Sequence, residues 1–156
     1  MYQKILVPLD GSPVAEEVIP YALELRRLSQ GTLTLVRVVP SATQPPALYS
    51  MTDAETWFTR QRQMQAEAEL YLAEIAARPE LTEAGPRWLV IAGVADQSLL
   101  TLIEQQAFDI LVMATRNRRD PVRWMLGSVA DYLVQHAPIP VLLVRQRAAG
   151  ADGRPL

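Results

Sequence analysis

Cysteine is absent from this 156-residue chain, and histidine and lysine occur once each, as His136 and Lys4. Without cysteine the chain has no disulfide framework, no thiolate metal site and no thiol nucleophile. A single imidazole and a single lysine also argue against a histidine-based metal site and against a lysine-dependent phosphate loop. We therefore expect no protein-built metal site and no catalytic residue of these types.

The chain also lacks long hydrophobic runs and a strong net charge. No apolar run approaches the roughly 18–20 residues that span a bilayer, and the first residues lack the charged and apolar regions of a signal peptide. Fifteen basic and seventeen acidic side chains give a formal net charge of −2, which does not favour a general nucleic-acid-binding surface. The expectation is a cytoplasmic protein that binds neither membrane nor nucleic acid.

Strand-like and helix-like segments alternate along residues 1–146. Short apolar runs predict strands at 5–9, 33–39, 87–92, 110–114 and 141–144. Helical periodicity predicts helices from Pro13 to Gly31, from Thr52 to about Ala77, around 99–107 and from Ser128 to His136. This alternation predicts an α/β fold, a single domain with a parallel sheet and helices on both faces. The last ten residues, 147–156, are predicted to be a flexible tail.

Ligands of such sheets bind at the carboxyl ends of the strands, where the winding reverses. Asp10 directly follows the first strand, where it either accepts hydrogen bonds from a ligand or caps the following turn. After the fourth strand, four arginines precede Gly127 and Ser128 at a helix start: Arg116, Arg118, Arg119 and Arg123. A helix N-terminus beside guanidinium groups is a natural phosphate site, and the alternative is a solvated basic loop.

Other chemistries are disfavoured by the residues at the strand ends. Neither a Walker-type Gly-x-x-x-x-Gly-Lys segment nor a Gly-x-Gly-x-x-Gly segment is present. Ser128 and His136 lie at opposite ends of one predicted helix, so they cannot form a nucleophile–base pair. His136 is instead expected to interact with the C-terminus of that helix. Beyond Asp10 no general base is evident, so we expect no enzyme, with slow hydrolysis of a bound nucleotide as the upper limit.

Three segments together resemble the universal stress protein family over residues 3–146. They are Ile5-Leu6-Val7-Pro8-Leu9-Asp10-Gly11-Ser12, then Val112-Met113-Ala114-Thr115-Arg116, and then Trp124-Met125-Leu126-Gly127-Ser128-Val129-Ala130 with its continuation from His136 to Val144. The resemblance implies a Rossmann-like open sheet of the adenine nucleotide alpha hydrolase type, with strand order 3-2-1-4-5. It also implies a role in the stress response.

The family's nucleotide-binding members carry Gly-x-x-Gly, nine residues and then Gly-Ser or Gly-Thr. In this chain Ala114 and Asn117 stand at the first two glycine positions, and Gly127-Ser128 comes after the intact nine-residue spacing. The resemblance implies that ATP or AMP, with Mg²⁺ as a companion ion, is the ligand. The implied binding residues are Pro8, Leu9, Asp10, Val38, Met113, Ala114, Arg116, Asn117, Gly127, Ser128 and Val129.

Two hypotheses about function stay open at this point. In the first, an adenine nucleotide regulates a homodimer that pairs through its last strand, formed by Val141, Leu142, Leu143 and Val144. In the second, the chain has lost nucleotide binding, because two motif glycines are replaced, and it works as a dimeric interaction protein. In either case an apolar edge strand needs a cover.

Overall fold

A computed structural model describes residues 1–41, 51–115 and 127–145, with residues 51–54 described by their backbone alone. Its five strands form one parallel sheet in the order β3-β2-β1-β4-β5. The strands are β1 (Lys4–Pro8), β2 (Thr32–Val39), β3 (Arg87–Ala92), β4 (Ile110–Thr115) and β5 (Val141–Arg145). The predicted fold class and strand order are therefore confirmed.

Six helices are present in the described residues: α1 (Pro13–Glu16), α2 (Ile19–Ser29), α3 (Met51–Ala76), α4 (Pro79–Thr82), α5 (Ala95–Gln106) and α6 (Ser128–His136). The prediction of one continuous helix from Pro13 to Gly31 is wrong, because α1 and α2 are separate. Pro20 lies in the first turn of α2. It has no N–H to donate, and its ring would collide with the carbonyl of Glu16, so the helix breaks there.

The sequence patterns also missed one short helix and misplaced one helix boundary. The short helix α4 was not predicted, and α5 begins at Ala95, four residues before the predicted start at Leu99. A helix of one turn has too few residues to show an apolar period, and the first turn of α5 carries few apolar side chains. Neither difference changes the order of elements along the chain.

The core consists of two layers, one on each face of the sheet. Ile5 and Val7 of β1 belong to the layer that contains residues of α1 to α4, whereas Leu6 belongs to the layer of α5 and α6. Consecutive side chains of a strand point to opposite faces, so a strand buried on both sides reads as a continuous apolar run. The same alternation separates Leu35 and Val36 of β2 into the two layers.

Several predictions concern residues that the structure does not describe. The predicted tail at 147–156 lies outside the described residues, as do Arg116, Arg118, Arg119 and Arg123. In the described part of the chain, no helix combines the length and the apolar character needed to cross a bilayer.

Candidate functional site

A cleft of about 350 Å³ opens at the carboxyl ends of β1 and β4, where the winding of the sheet reverses. Nine of the eleven predicted site residues are described, and all nine line this cleft: Pro8, Leu9, Asp10, Val38, Met113, Ala114, Gly127, Ser128 and Val129. The other two, Arg116 and Asn117, lie outside the described residues. The structure thus brings the described residues together, and their role in binding stays a prediction.

Asp10 lies in a tight turn between β1 and α1, on the exposed edge of the cleft. Its Oδ1 accepts a hydrogen bond of 2.9 Å from the backbone N–H of Ser12. The Ser12 hydroxyl oxygen in turn accepts a bond of 3.2 Å from the N–H of Ala15 and caps α1. Asp10 therefore has the turn-closing role that its sequence context suggested, while it also lines the cleft. The bond to Ser12 uses one of about four acceptor positions of a carboxylate.

The floor of the cleft is apolar. Val36 and Val38 of β2 and Met113 of β4 line it, with Val36 and Met113 buried and Val38 half-buried. Leu99 and Ala95 of α5 form a further wall. An apolar floor of this kind with polar groups at its rim is typical of sites for planar, partly hydrophobic ligands.

The N-terminus of α6 lies at the other end of the cleft. Gly127 is the residue that precedes the helix, and, being a glycine, it has no side chain with which to cap the first turn. Its φ of −58° is ordinary for any residue, and a Cβ added there would meet nothing within 4 Å. Neither backbone strain nor packing within the described residues requires glycine here. The open space lies beside backbone N–H groups and the positive end of the helix dipole, both of which favour an anion.

Among the described residues that line the cleft, Asp10 is the one ionisable side chain. In the described ranges, no group of three or more histidine, cysteine, aspartate or glutamate side chains is placed to hold a metal ion. At the far end of α6, His136 Nδ1 lies 2.8 Å from the carbonyl oxygen of Tyr132, and its ring stacks on that tyrosine. His136 is therefore at the C-terminus of α6, as expected, and away from Ser128.

The cleft includes residues that the sequence did not assign to a site: Ser12, Val14, Ala15, Val36, Ala95, Leu99 and Ala130. Ser12 caps α1 and also lines the cleft. Val36 has a usable signal, because it lies two residues before Val38 and so on the same face of β2. No sequence signal places Ala95 and Leu99 at the cleft, because their position depends on how α5 packs against the sheet.

An open parallel sheet of this strand order, with a cleft at its switch point, defines the class of Rossmann-like α/β folds. Within that class, the model of the universal stress protein family matches residues 1–145. This chain therefore belongs to the universal stress protein family. A putative universal stress protein of Staphylococcus haemolyticus is 28% identical over 155 residues, which cover 99% of this chain and 91% of that protein.

Solved structures share the fold. Universal stress protein UspA from Lactobacillus plantarum superposes with a TM-score of 0.73 at 25% identity, covering 92% of this chain and 98% of that one. A universal stress protein in complex with cAMP has a TM-score of 0.61 at 20% identity, and the match covers 92% of this chain and 96% of that one. A universal stress protein family protein from Arabidopsis thaliana with AMP bound has a TM-score of 0.62 at 16% identity, and the match covers 97% of this chain and 96% of that one.

Proposed function

We propose that this chain binds an adenine nucleotide, ATP or AMP, in the cleft at the ends of β1 and β4, and that it serves as a regulatory module of the stress response. One observation carries the proposal: nine residues singled out from the sequence converge on one cleft, beside a helix N-terminus at which the N-cap residue is a glycine. Family neighbours of the same fold with cAMP or AMP bound support the choice of an adenine nucleotide.

The proposed pose is based on the polarity of the cleft. The base lies on the apolar floor at Val38, with Pro8 and Leu9 beside it, and the Asp10 carboxylate accepts from its exocyclic amine. The ribose lies near Met113 and Ala114. The phosphates lie at Gly127, Ser128 and Val129, where helix N–H groups donate to them. Arg116 and Asn117 are proposed to flank the phosphates, since their segment joins Thr115 to Gly127.

Mg²⁺ fits this site only as a companion of bound phosphates. The described lining offers one carboxylate, Asp10, and Mg²⁺ commonly completes its shell with phosphate oxygens and water. For the same reason we propose binding rather than turnover, because no second acid or base faces the cleft among the described residues. We further propose that the protein acts in the cytoplasm, which cell fractionation tests.

Native mass spectrometry of the purified protein tests the proposal. We expect a population whose mass exceeds that of the chain by AMP or ATP, and release of that nucleotide on denaturation. Protein stripped of nucleotide and then titrated with AMP, ATP and GTP in a calorimeter should bind the adenine nucleotides and bind GTP more weakly. Absence of both a co-purifying nucleotide and a titration heat overturns the proposal.

A second candidate function is a dimeric interaction protein without nucleotide. Two observations favour it: Ala114 and Asn117 replace motif glycines, and Leu142 on the edge strand β5 is 39% exposed. We propose in either case that the chain forms a homodimer through residues 141–144, because an apolar sheet edge is stabilised when a second strand covers it. Calorimetric titration with nucleotide distinguishes the two candidate functions, because only the first predicts a heat of nucleotide binding.

A further inference from the structure

A charged and aromatic cluster lies on the face of the sheet opposite the floor of the cleft. Val36 and Val38 of β2 line the cleft, so Arg37 between them points to the other face. There its guanidinium carbon lies 4.9 Å from the centroid of the Tyr71 ring of α3, in a cation–π arrangement. Arg37 is only partly exposed, so this contact is formed at the margin of the core.

The same guanidinium lies directly behind the turn that carries Asp10. A Cβ added at Gly11 would lie 3.2 Å from Arg37 Nη2 and 3.3 Å from its Cζ. These separations are tighter than an ordinary van der Waals contact, so the turn and the guanidinium are in close approach. Gly11 has a φ of +84°, which glycine adopts without strain. Glycine at position 11 therefore allows the Asp10–Ser12 turn to lie against the guanidinium of Arg37.

Further residues hold Tyr71 in place. Its hydroxyl donates a hydrogen bond of 3.0 Å to Glu16 Oε1, and Arg78 Nη2 donates one of 2.7 Å to Glu16 Oε2. Burial and the Glu16 carboxylate raise the pKa of Tyr71, the positive charge of Arg37 lowers it, and the negative charge of Asp10 raises it. Asp10 and Arg37 therefore act with opposite sign on the pKa of Tyr71.

We infer that Arg37 is a positioning residue for the nucleotide site: it supports the Asp10–Ser12 turn from behind and holds the Asp10 carboxylate toward the cleft. This inference rests on the proposed function, since the turn borders the proposed base site. Arg37 does not touch the ligand, because it lies on the far face of β2. Its planar guanidinium stacks on Tyr71 and fills the space that Gly11 leaves open, which a lysine ammonium does less well.

The first test needs no nucleotide. Hydrogen–deuterium exchange of nucleotide-free protein should show faster exchange at the amides of residues 10–12 in Arg37→Met than in wild type, by about fivefold or more. Arg27→Met is the matched control, because Arg27 pairs with Glu24 on an exposed face of α2 and should leave those amides unchanged. Equal exchange in wild type and Arg37→Met overturns the inference.

The second test measures the Kd for AMP. Arg37→Met should raise the Kd about tenfold, and Arg37→Lys, which keeps the charge, should give an intermediate value. In an Asp10→Asn background, Arg37→Met should have little further effect, because Arg37 acts through that carboxylate. Two results overturn the inference: an unchanged Kd in Arg37→Met, or the same loss with and without Asp10→Asn.

Failure of the proposed function and failure of this inference are distinguishable. If wild type binds no AMP, the proposed function fails, and the exchange experiment alone decides whether Arg37 supports the turn. If Arg37→Met does not fold by circular dichroism, then Arg37→Lys and Tyr71→Phe supply the comparison. The first variant replaces the planar guanidinium, and the second removes the hydrogen bond to Glu16 that holds the ring beneath Arg37.

Discussion

The Asp10 carboxylate accepts a hydrogen bond of 2.9 Å from the backbone N–H of Ser12, at the point where β1 ends and α1 begins. This bond closes the turn and fixes the carboxylate at the rim of the cleft. The turn is short, and the strand before it has a buried centre, with Ile5, Leu6 and Val7 at 0% exposure. Asp10 is therefore attached to a rigid element, as a group that orients a ligand needs to be.

Asp10→Ala should weaken nucleotide binding. Loss of a charge-assisted acceptor for the base should raise the Kd for AMP about tenfold or more, as measured by calorimetry. Asp109→Ala is the matched control, because Asp109 also accepts a backbone N–H bond of 2.9 Å, from Lys4, at the opposite end of the sheet. If both variants change the Kd equally, Asp10 has no specific part in binding.

Gly127→Val should block binding of the nucleotide's phosphates. Among the described residues a Cβ at this position meets nothing within 4 Å, so the free energy of unfolding should fall only by about 1 kcal/mol, the usual cost of an apolar residue at an N-cap. The Kd for AMP should rise about tenfold, because the added atoms occupy the approach to the N–H groups of α6. Adenosine, which has no phosphate, should lose much less affinity. An equal loss for AMP and adenosine would contradict the assigned phosphate position.

Leu142→Lys should dissociate the proposed homodimer. Leu142 is the exposed apolar side chain of β5, whereas Leu143 packs against the core layer of α5 and α6. A charge at 142 therefore opposes strand pairing without opening the core. Sedimentation velocity at micromolar concentration should show a dimer for wild type and a monomer for Leu142→Lys. A monomeric wild type, or an unaffected dimer in the variant, refutes this interface.

Tyr71 should make stability fall at high pH. Burial first, and then the Glu16 carboxylate that accepts its hydrogen bond, raise the pKa of Tyr71 well above its usual value of 10.0. The unfolded chain releases that proton near pH 10, so the stabilisation is complete below this pH and is lost as pH rises above it. The unfolding free energy of wild type relative to Tyr71→Phe should decrease from pH 9 to pH 11 in urea titrations. A constant difference would contradict the assigned environment.

The fold was predictable because its signals are local. Each buried strand is a short apolar run, and Ser12, Pro13 and Gly31 mark helix boundaries within a few residues. The residues that line the cleft were predictable from local pattern as far as they follow strand ends or a glycine–serine pair at a helix start, and Val38, Met113 and Val129 were named from the family resemblance. Pro20 carried a usable signal for the break between α1 and α2, because a proline within a helical pattern interrupts it at the preceding residues.

The support behind the site was not predictable. Alternation along β2 indicates that Arg37 faces away from Val38, and a charged side chain on a core face requires partners. Its partners depend on the register of α3 and on the approach of the Gly11 turn, which are long-range packing relationships. Tyr71 lies 34 residues further along the chain, so no local pattern joins the two.

The position of the nucleotide can be mapped by titrating ¹⁵N-labelled protein with AMP and following the backbone amides by NMR. We expect the amide shifts to concentrate at the two ends of the cleft, at Leu9, Asp10, Ser12, Met113, Gly127 and Ser128. The amides of Gly31 and Asp109, which precede β2 and β4 at the opposite end of the strands, should stay unchanged. Shifts centred on that opposite end of the strands, or no shifts at saturating AMP, would contradict binding in this cleft.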